Sequence, residues 1–216
     1  MNPPVYHFEC VWMTTNVTGT PHAAALQAAN PELRVHTCYS PQGETPEDSR
    51  HRWRNCDRNI RGWWDENRAE VATDQVLFLE WDVFANVNLP DHLPSLGGNY
   101  GIAGPRILSP ISDRAFWPFQ EDLPKLPREM EALACATAPL AVLLISRAAL
   151  DAIQAPCYDA IFADDIFCET RLPTVIRHAG FRVVEMRLPD VGCKPMIPGP
   201  ARGIYHPVKQ PVYLSS

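Results

Sequence analysis

Two acids at the end of an apolar run are where chemistry concentrates in this sequence. Val76-Leu77-Phe78-Leu79 leads into Glu80-Trp81-Asp82, and Val83-Phe84 follows at once. A strand alternates its side chains, so Glu80 and Asp82 are expected on one side. Two neighbouring carboxylates repel unless positive charge lies between them. A hard divalent cation, Mg²⁺ or Mn²⁺, itself holding phosphate oxygens, meets that need. The simpler alternative is a pair of acids closing a strand at the surface, although apolar residues directly after Glu-Trp-Asp argue against a turn. Other chemistries lack their signatures. His22, His36, His51, His92 and His178 show no His-x-x-x-His spacing, and His36 with Cys38 reads as strand rather than as a soft-metal pair. The chain has no Gly-x-Ser-x-Gly elbow, no Gly-x-Gly-x-x-Gly and no Walker loop.

Positioning those acids calls for a buried strand, read over 75–84. A short, wholly apolar run fits a parallel sheet covered by helices on both faces. Ligands of open α/β sheets bind outside the carboxyl ends of the strands, where the two acids stand. Residues 5–13 read as the first strand and 14–20 as a polar loop. Thr20-Pro21 reads as N-cap and first helical residue of a helix over 22–29, which Asn30-Pro31 stops. A second strand follows over 33–39. This strand–loop–helix–strand order is the mark of a parallel α/β sheet. Residues 41–58 read as a surface loop or short helix. Residues 59–71, with Ile60, Trp63, Trp64, Ala69 and Val71, read as a helix packed on the sheet.

The segment 86–121 reads as irregular, with Gly97-Gly98-Asn99-Tyr100-Gly101 and several prolines. Its aromatic cluster, Phe116-Trp117-Pro118-Phe119, serves either to stack a sugar or base or to cover the edge of the core. Residues 140–145 read as a strand, with Ser146 capping a short helix over 147–154. A helix is expected over 165–179, broken or restarted by Pro173 and ended by Gly180. A final strand covers 181–186, and 188–216 reads as a tail with little regular structure.

The 216 residues fit one α/β domain. Net charge is −6 and there is no Lys/Arg block, which argues against nucleic acid as the partner. An acidic protein that holds an anionic ligand needs a metal or local cations to do so. The seven cysteines are odd in number, widely spaced and without Cys-x-x-Cys, which excludes a disulfide framework or zinc ribbon. They read as small buried residues in a reducing compartment. No signal peptide and no apolar run of membrane-spanning length is read, so a cytoplasmic location is expected.

Several stretches, in order, resemble the GT-A glycosyltransferases, which use nucleotide-diphosphate sugars. Leu77-Phe78-Leu79-Glu80-Trp81-Asp82 looks like the family's Asp-x-Asp strand end, with Glu in the first place. Ala141 to Leu150 is similar to its strand and Ser-Arg-x-x-Leu helix. Asp164-Asp165-Ile166-Phe167-Cys168-Glu169-Thr170-Arg171-Leu172-Pro173-Thr174 looks like the acidic segment and helix that hold the base of inverting members. Gly203-Ile204-Tyr205-His206-Pro207-Val208-Lys209 looks like the late histidine segment that completes a metal site.

The resemblance implies a GT-A-like α/β fold: a mostly parallel central sheet flanked by helices, with a long irregular middle region and a C-terminal tail. It implies one glycosyltransferase-like domain over 1–216, with a nucleotide-binding half at 1–85 and an acceptor-side half and tail at 86–216. The expected activity is metal-dependent transfer of a sugar, of hexosyltransferase type, from a nucleotide-diphosphate donor to an acceptor hydroxyl. Glu80, Asp82 and His206 would hold Mn²⁺ or Mg²⁺. Thr14, Thr15, Asn16, Arg61, Trp81 and Lys209 would bind the donor, with Arg61 or Lys209 reaching its phosphates. An inverting reaction would draw its base from Asp165 and Glu169, which share a helix face if the helix starts by 165. Alternatively, Asp164 or Asp165 is only an N-cap and Glu169 pairs with Arg171 or Arg177. Retaining chemistry needs no such base, and the sequence leaves that choice open. Two rivals remain. One is a sugar nucleotidyltransferase, which would carry a glycine-rich basic first loop that Thr14 to Thr20 lacks. The other is a non-catalytic member that binds a nucleotide-sugar or a protein partner.

Overall fold

The computed structural model describes residues 7–14, 20–39, 53–198 and 201–209. In chain order the main elements are β1 (Phe8–Thr14), α1 (Thr20–Ala29), β2 (Val35–Tyr39), α2 (Cys56–Asn67), β3 (Gln75–Glu80) and β4 (Phe84–Ala85). Next come β5 (Tyr100–Gly104), β6 (Ile107–Leu108), α3 (Trp117–Asp122), α4 (Arg128–Glu131), β7 (Ala136–Thr137) and β8 (Val142–Ser146). The last are α5 (Arg147–Ala152), α6 (Asp159–Ala163), α7 (Cys168–His178), β9 (Arg182–Glu185) and β10 (Ile204–Tyr205).

A six-stranded sheet in the order β2-β1-β3-β8-β5-β9 forms the centre. Its strands run parallel except β8, which is antiparallel to both β3 and β5. The fold is therefore mixed α/β with a mostly parallel sheet, as expected. Between Gln75 and Glu80, β3 is wholly apolar because it is covered on both faces. Val76 and Phe78 pack with Ile60, Trp63 and Trp64 of α2 and with Leu172, Val175 and Ile176 of α7. Leu77 and Leu79 pack on the other face with Leu26 of α1, Val83 and Ile204. That alternation is the period-2 geometry of a strand in the middle of three layers.

Four expectations are corrected. First, the strand over 75–84 ends at Glu80. The chain turns at Trp81-Asp82, with the Val83 N–H donating to the Glu80 carbonyl at 3.1 Å. Of the apolar residues after the turn, Val83 is buried and Phe84 opens a second buried strand, β4, so they do not argue against a turn. Second, the segment 86–121 holds a full sheet strand, β5. Its glycines mark close packing rather than a loop: a Cβ at Gly104 would lie 1.9 Å from Thr137 Oγ1, and one at Gly101 would lie 2.5 Å from Phe181 Cβ. Gly104→Ala is therefore expected to destabilise the fold by about 1–3 kcal/mol through overpacking, read as a lower urea midpoint at unchanged slope.

Third, the tail is structured where it returns. β10 pairs antiparallel with β4, Ile204 opposite Ala85 and Tyr205 opposite Phe84. Fourth, α7 begins at Cys168 rather than at 165, and it runs through Pro173 without a break. Gly180, at φ 93°, follows it in the left-handed region.

Among the described residues no helix is long and apolar enough to cross a membrane. All seven cysteines are free; Cys10, Cys38, Cys135 and Cys168 are buried, and Cys157 and Cys193 are exposed.

Candidate functional site

The return of the tail brings a histidine to the end of β3. His206 follows β10 directly, and its ring reaches both acids: Nε2 lies 3.4 Å from Glu80 Oε2 and 3.3 Å from Asp82 Oδ1. One ligand atom from each of Glu80, Asp82 and His206 falls within 4.8 Å of the others. Nδ1 of His206 sits 2.8 Å from the Gly192 carbonyl, which fixes the ring with Nε2 facing the acids. The backbone is tied as well. The Val208 N–H donates to the Asp82 carbonyl at 2.8 Å, and the His206 N–H donates to the Asp190 carbonyl at 3.0 Å. The turn at 81–82, not strand alternation, sets the two carboxylates together.

Asp82 is 1% exposed. Its Oδ2 accepts from the Lys209 ammonium, while its Oδ1 accepts no well-directed hydrogen bond among the described residues. Lys209 also lies 4.8 Å from the centroid of the Trp81 ring. Burial works to raise the Asp82 pKa, but His206 and Lys209 outweigh it and hold the carboxyl below its usual value. Burial likewise opposes a charged imidazole at His206, yet the hydrogen bonds and charges of Asp82 and Glu80 push its pKa up to about 9. Two carboxylates and one imidazole, with one ligand atom from each within 4.8 Å of the others, fit a divalent cation of the Mn²⁺ or Mg²⁺ kind. Binding would require His206 to give up its proton.

Glu169 lies in the first turn of α7 and is 9% exposed. Burial first, and the charge of Glu80 second, push its pKa up to about 8; the Leu140 backbone and the charge of His206 offset part of this. The sources of the raised proton affinity are burial and the cluster, not Asp165. Asp165 lies before the helix, so the two acids do not share a helix face. Its carboxylate accepts from Arg54 Nε at 3.0 Å. Glu169 does not pair with Arg171, because residues two apart on a helix point to different sides. Arg171 is fully buried, donating to both oxygens of Asp57 at 2.8 and 2.6 Å, to Asn55 Oδ1 at 3.0 Å and to the Asp164 carbonyl at 2.7 Å. Nothing in the sequence marked Asp57 or Asn55 as partners.

The remaining residues divide. Thr14 ends β1, one residue beyond the Met13–Glu80 pair of the sheet, so its backbone stands beside the cluster. Thr15 and Asn16 lie outside the described residues. Arg61 is engaged elsewhere: it donates to Asp159 Oδ1 at 2.5 Å and its guanidinium lies 4.8 Å from the Phe162 centroid. None of these partners belongs to the cluster. His36 Nε2 meets Glu9 Oε2 at 2.5 Å and Cys38 Sγ faces the Asn59 carbonyl, so these two serve the sheet and α2.

No protein-family model matches the chain, and no curated protein matches it. Among solved structures it is similar to the galactosyltransferase LgtC in complex with donor and acceptor sugar analogs, at TM-score 0.44 and 13% identity over 82% of this chain and 72% of that one. It is similar to a glycosyltransferase involved in the glycosylation of the major capsid of PBCV-1, at TM-score 0.46 and 10% identity over 82% and 81% of the two chains. A third is mouse xyloside xylosyltransferase 1, at TM-score 0.31 and 13% identity over 82% and 77%.

Proposed function

We propose that this chain transfers a sugar from a nucleotide-diphosphate donor to an acceptor hydroxyl, using a divalent cation held by Glu80, Asp82 and His206. The observation that supports it best is the convergence of those three side chains with Lys209 and Trp81 outside the carboxyl end of β3, the place where open α/β sheets bind ligands. Once bound, the cation would supply electrostatic stabilisation of the departing diphosphate. The rest falls to the chain itself. Asp82, buried and ionised, is the principal ligand, and Glu80 completes the acidic pair. Lys209 carries three donors at the edge of the cluster and serves a phosphate oxygen while staying over the Trp81 ring.

Glu169 is the group placed to receive the proton of the acceptor hydroxyl in an inverting reaction. A divalent cation at the cluster would offset the charge of Glu80, which helps to raise the Glu169 pKa, while loss of the His206 charge would act the other way. Asp165 is a weaker candidate because Arg54 engages its carboxylate. Glu169→Gln is expected to lower kcat by about 10²- to 10⁴-fold without lowering the melting temperature, since the amide removes a buried acid that burial disfavours. Asp165→Asn is expected to stay within about fivefold of wild type, the scale of a partly exposed ion pair worth up to ~1 kcal/mol. Steady-state kinetics on both variants checks this.

The function itself is tested by incubating the protein with UDP- and GDP-sugars, with Mn²⁺ or Mg²⁺, and measuring release of UDP or GDP with and without saccharide acceptors. Metal-dependent release bears the proposal out. Nucleotide binding without any release makes the chain a non-catalytic binder, and neither binding nor release refutes the reading.

A further inference from the structure

An exposed aromatic surface at the start of α7 has no part in the donor chemistry. Trp53 is 53% exposed and Trp117 is 36% exposed. Their rings stack with centroids 6.1 Å apart and planes 30° apart. Both rest on the buried ring of Phe167, at 4.6 and 5.1 Å. Phe167 is the N-cap of α7, two residues before Glu169. The Trp53 carbonyl accepts from Cys168 Sγ at 3.3 Å, which ties the first indole to the same helix turn. Arg54 packs over two of these rings, its guanidinium 5.5 Å from the Trp117 centroid and 5.7 Å from that of Phe167. Arg54 is in turn fixed by Asp122 at 3.3 Å and Asp165 at 3.0 Å. Two large rings are thus kept rigid, parallel to within 30° and open to solvent, at an apolar hydration cost that a packed core would avoid.

The rim of this surface selects among flat ligands. Among the described residues its charged groups are Arg54 and Lys125 against Glu121, Asp122 and Asp165, and Arg54 faces all three acids. The cations are therefore matched or outnumbered, so a phosphate-bearing ligand gains little here. A neutral sugar ring has an apolar C–H face for the indoles and hydroxyls for carboxylates and backbone carbonyls. We propose that Trp53 and Trp117 form the platform that holds a neutral saccharide acceptor. This rests on the glycosyl-transfer reading and names its acceptor class.

The test is a panel of immobilised neutral and acidic mono- to tetrasaccharides, probed with wild type, Trp53→Ala, Trp117→Ala and the Trp→Phe variants at both positions. UDP/Mn²⁺ and GDP/Mn²⁺ thermal shifts are run in parallel. Wild type is expected to retain at least one neutral saccharide. Each Ala variant should weaken it about tenfold or more, and the Phe variants should keep part of the affinity, with the nucleotide shift unchanged throughout. If the Ala variants lose their melting transition, the Phe variants carry the comparison, with an expected loss of about threefold on the scale of aromatic stacking. Saccharide binding that ignores both tryptophans overturns the platform. So does the absence of any retained saccharide in a protein that shows the nucleotide shift, which leaves the donor site standing. Tryptophan-dependent saccharide binding without a nucleotide shift supports the platform and sinks the transferase reading instead.

Discussion

Asp82→Ala is expected to reduce release of nucleoside diphosphate about a thousandfold or more, with loss of the Mn²⁺ dependence that remains. A cation that stabilises the leaving diphosphate contributes several kcal/mol at the transition state, and about 4 kcal/mol corresponds to three powers of ten. Asp82 is the ligand whose removal should cost most. It is buried, it is ionised, and it alone touches both His206 and Lys209. The variant should remain folded, because Lys209 is half-exposed and returns to water when its partner is gone. Glu80→Ala should have the smaller effect, since the Glu80 side chain is more accessible than that of Asp82. Initial rates across a Mn²⁺ titration read the result. A variant with wild-type rate and wild-type metal dependence would remove Asp82 from the site.

Asp57→Ala is expected to give the largest loss of stability, about 3–5 kcal/mol. It strips both carboxylate oxygens from Arg171 and leaves a buried guanidinium hydrogen-bonded to Asn55 and the Asp164 carbonyl but with no opposite charge in contact with it among the described residues. Burial disfavours the charged guanidinium, but Asp57 overcomes this and raises its pKa. At ~2–4 °C per kcal/mol for a chain of this size, the melting temperature should fall by about 10 °C. The double variant Asp57→Leu/Arg171→Met should recover most of that loss, because it buries no unpaired charge. Thermal denaturation of the two proteins decides the matter. Equal destabilisation in both would mean that packing, not the charge pair, holds α2 to α7.

Asp57 also shows where the sequence stops being informative. Its partner Arg171 stands on another helix, and no local pattern joins them. The acid pair at Glu80 and Asp82 was legible because a both-face-buried strand must be apolar, so acids at its end stand out. The turn between them was not legible, since the apolar residues beyond it serve a different buried strand. β5 is not legible for a related reason: Gly101 and Gly104 are demanded by neighbours at Phe181 and Thr137, and the same residue type marks loops. The direction of β8 leaves no trace in composition, because a central strand is apolar whichever way it runs. The start of α7 is not legible because the acid that binds the Phe167 N–H, at 2.9 Å, is the remote Asp122 rather than a local residue. His206 was found through the resemblance of its segment, and its place beside the acids depends on the β4–β10 pairing.

The central claim, a nucleotide-diphosphate site at the carboxyl end of β3, is tested most directly by a thermal-shift titration of UDP and of GDP, each with and without Mn²⁺, on wild type and Asp82→Ala. A ligand that binds only the folded state raises the melting temperature by mass action. The account predicts a shift for one nucleotide that requires Mn²⁺ and vanishes in the variant. No shift with either nucleotide, or a shift that persists unchanged in Asp82→Ala, would contradict it.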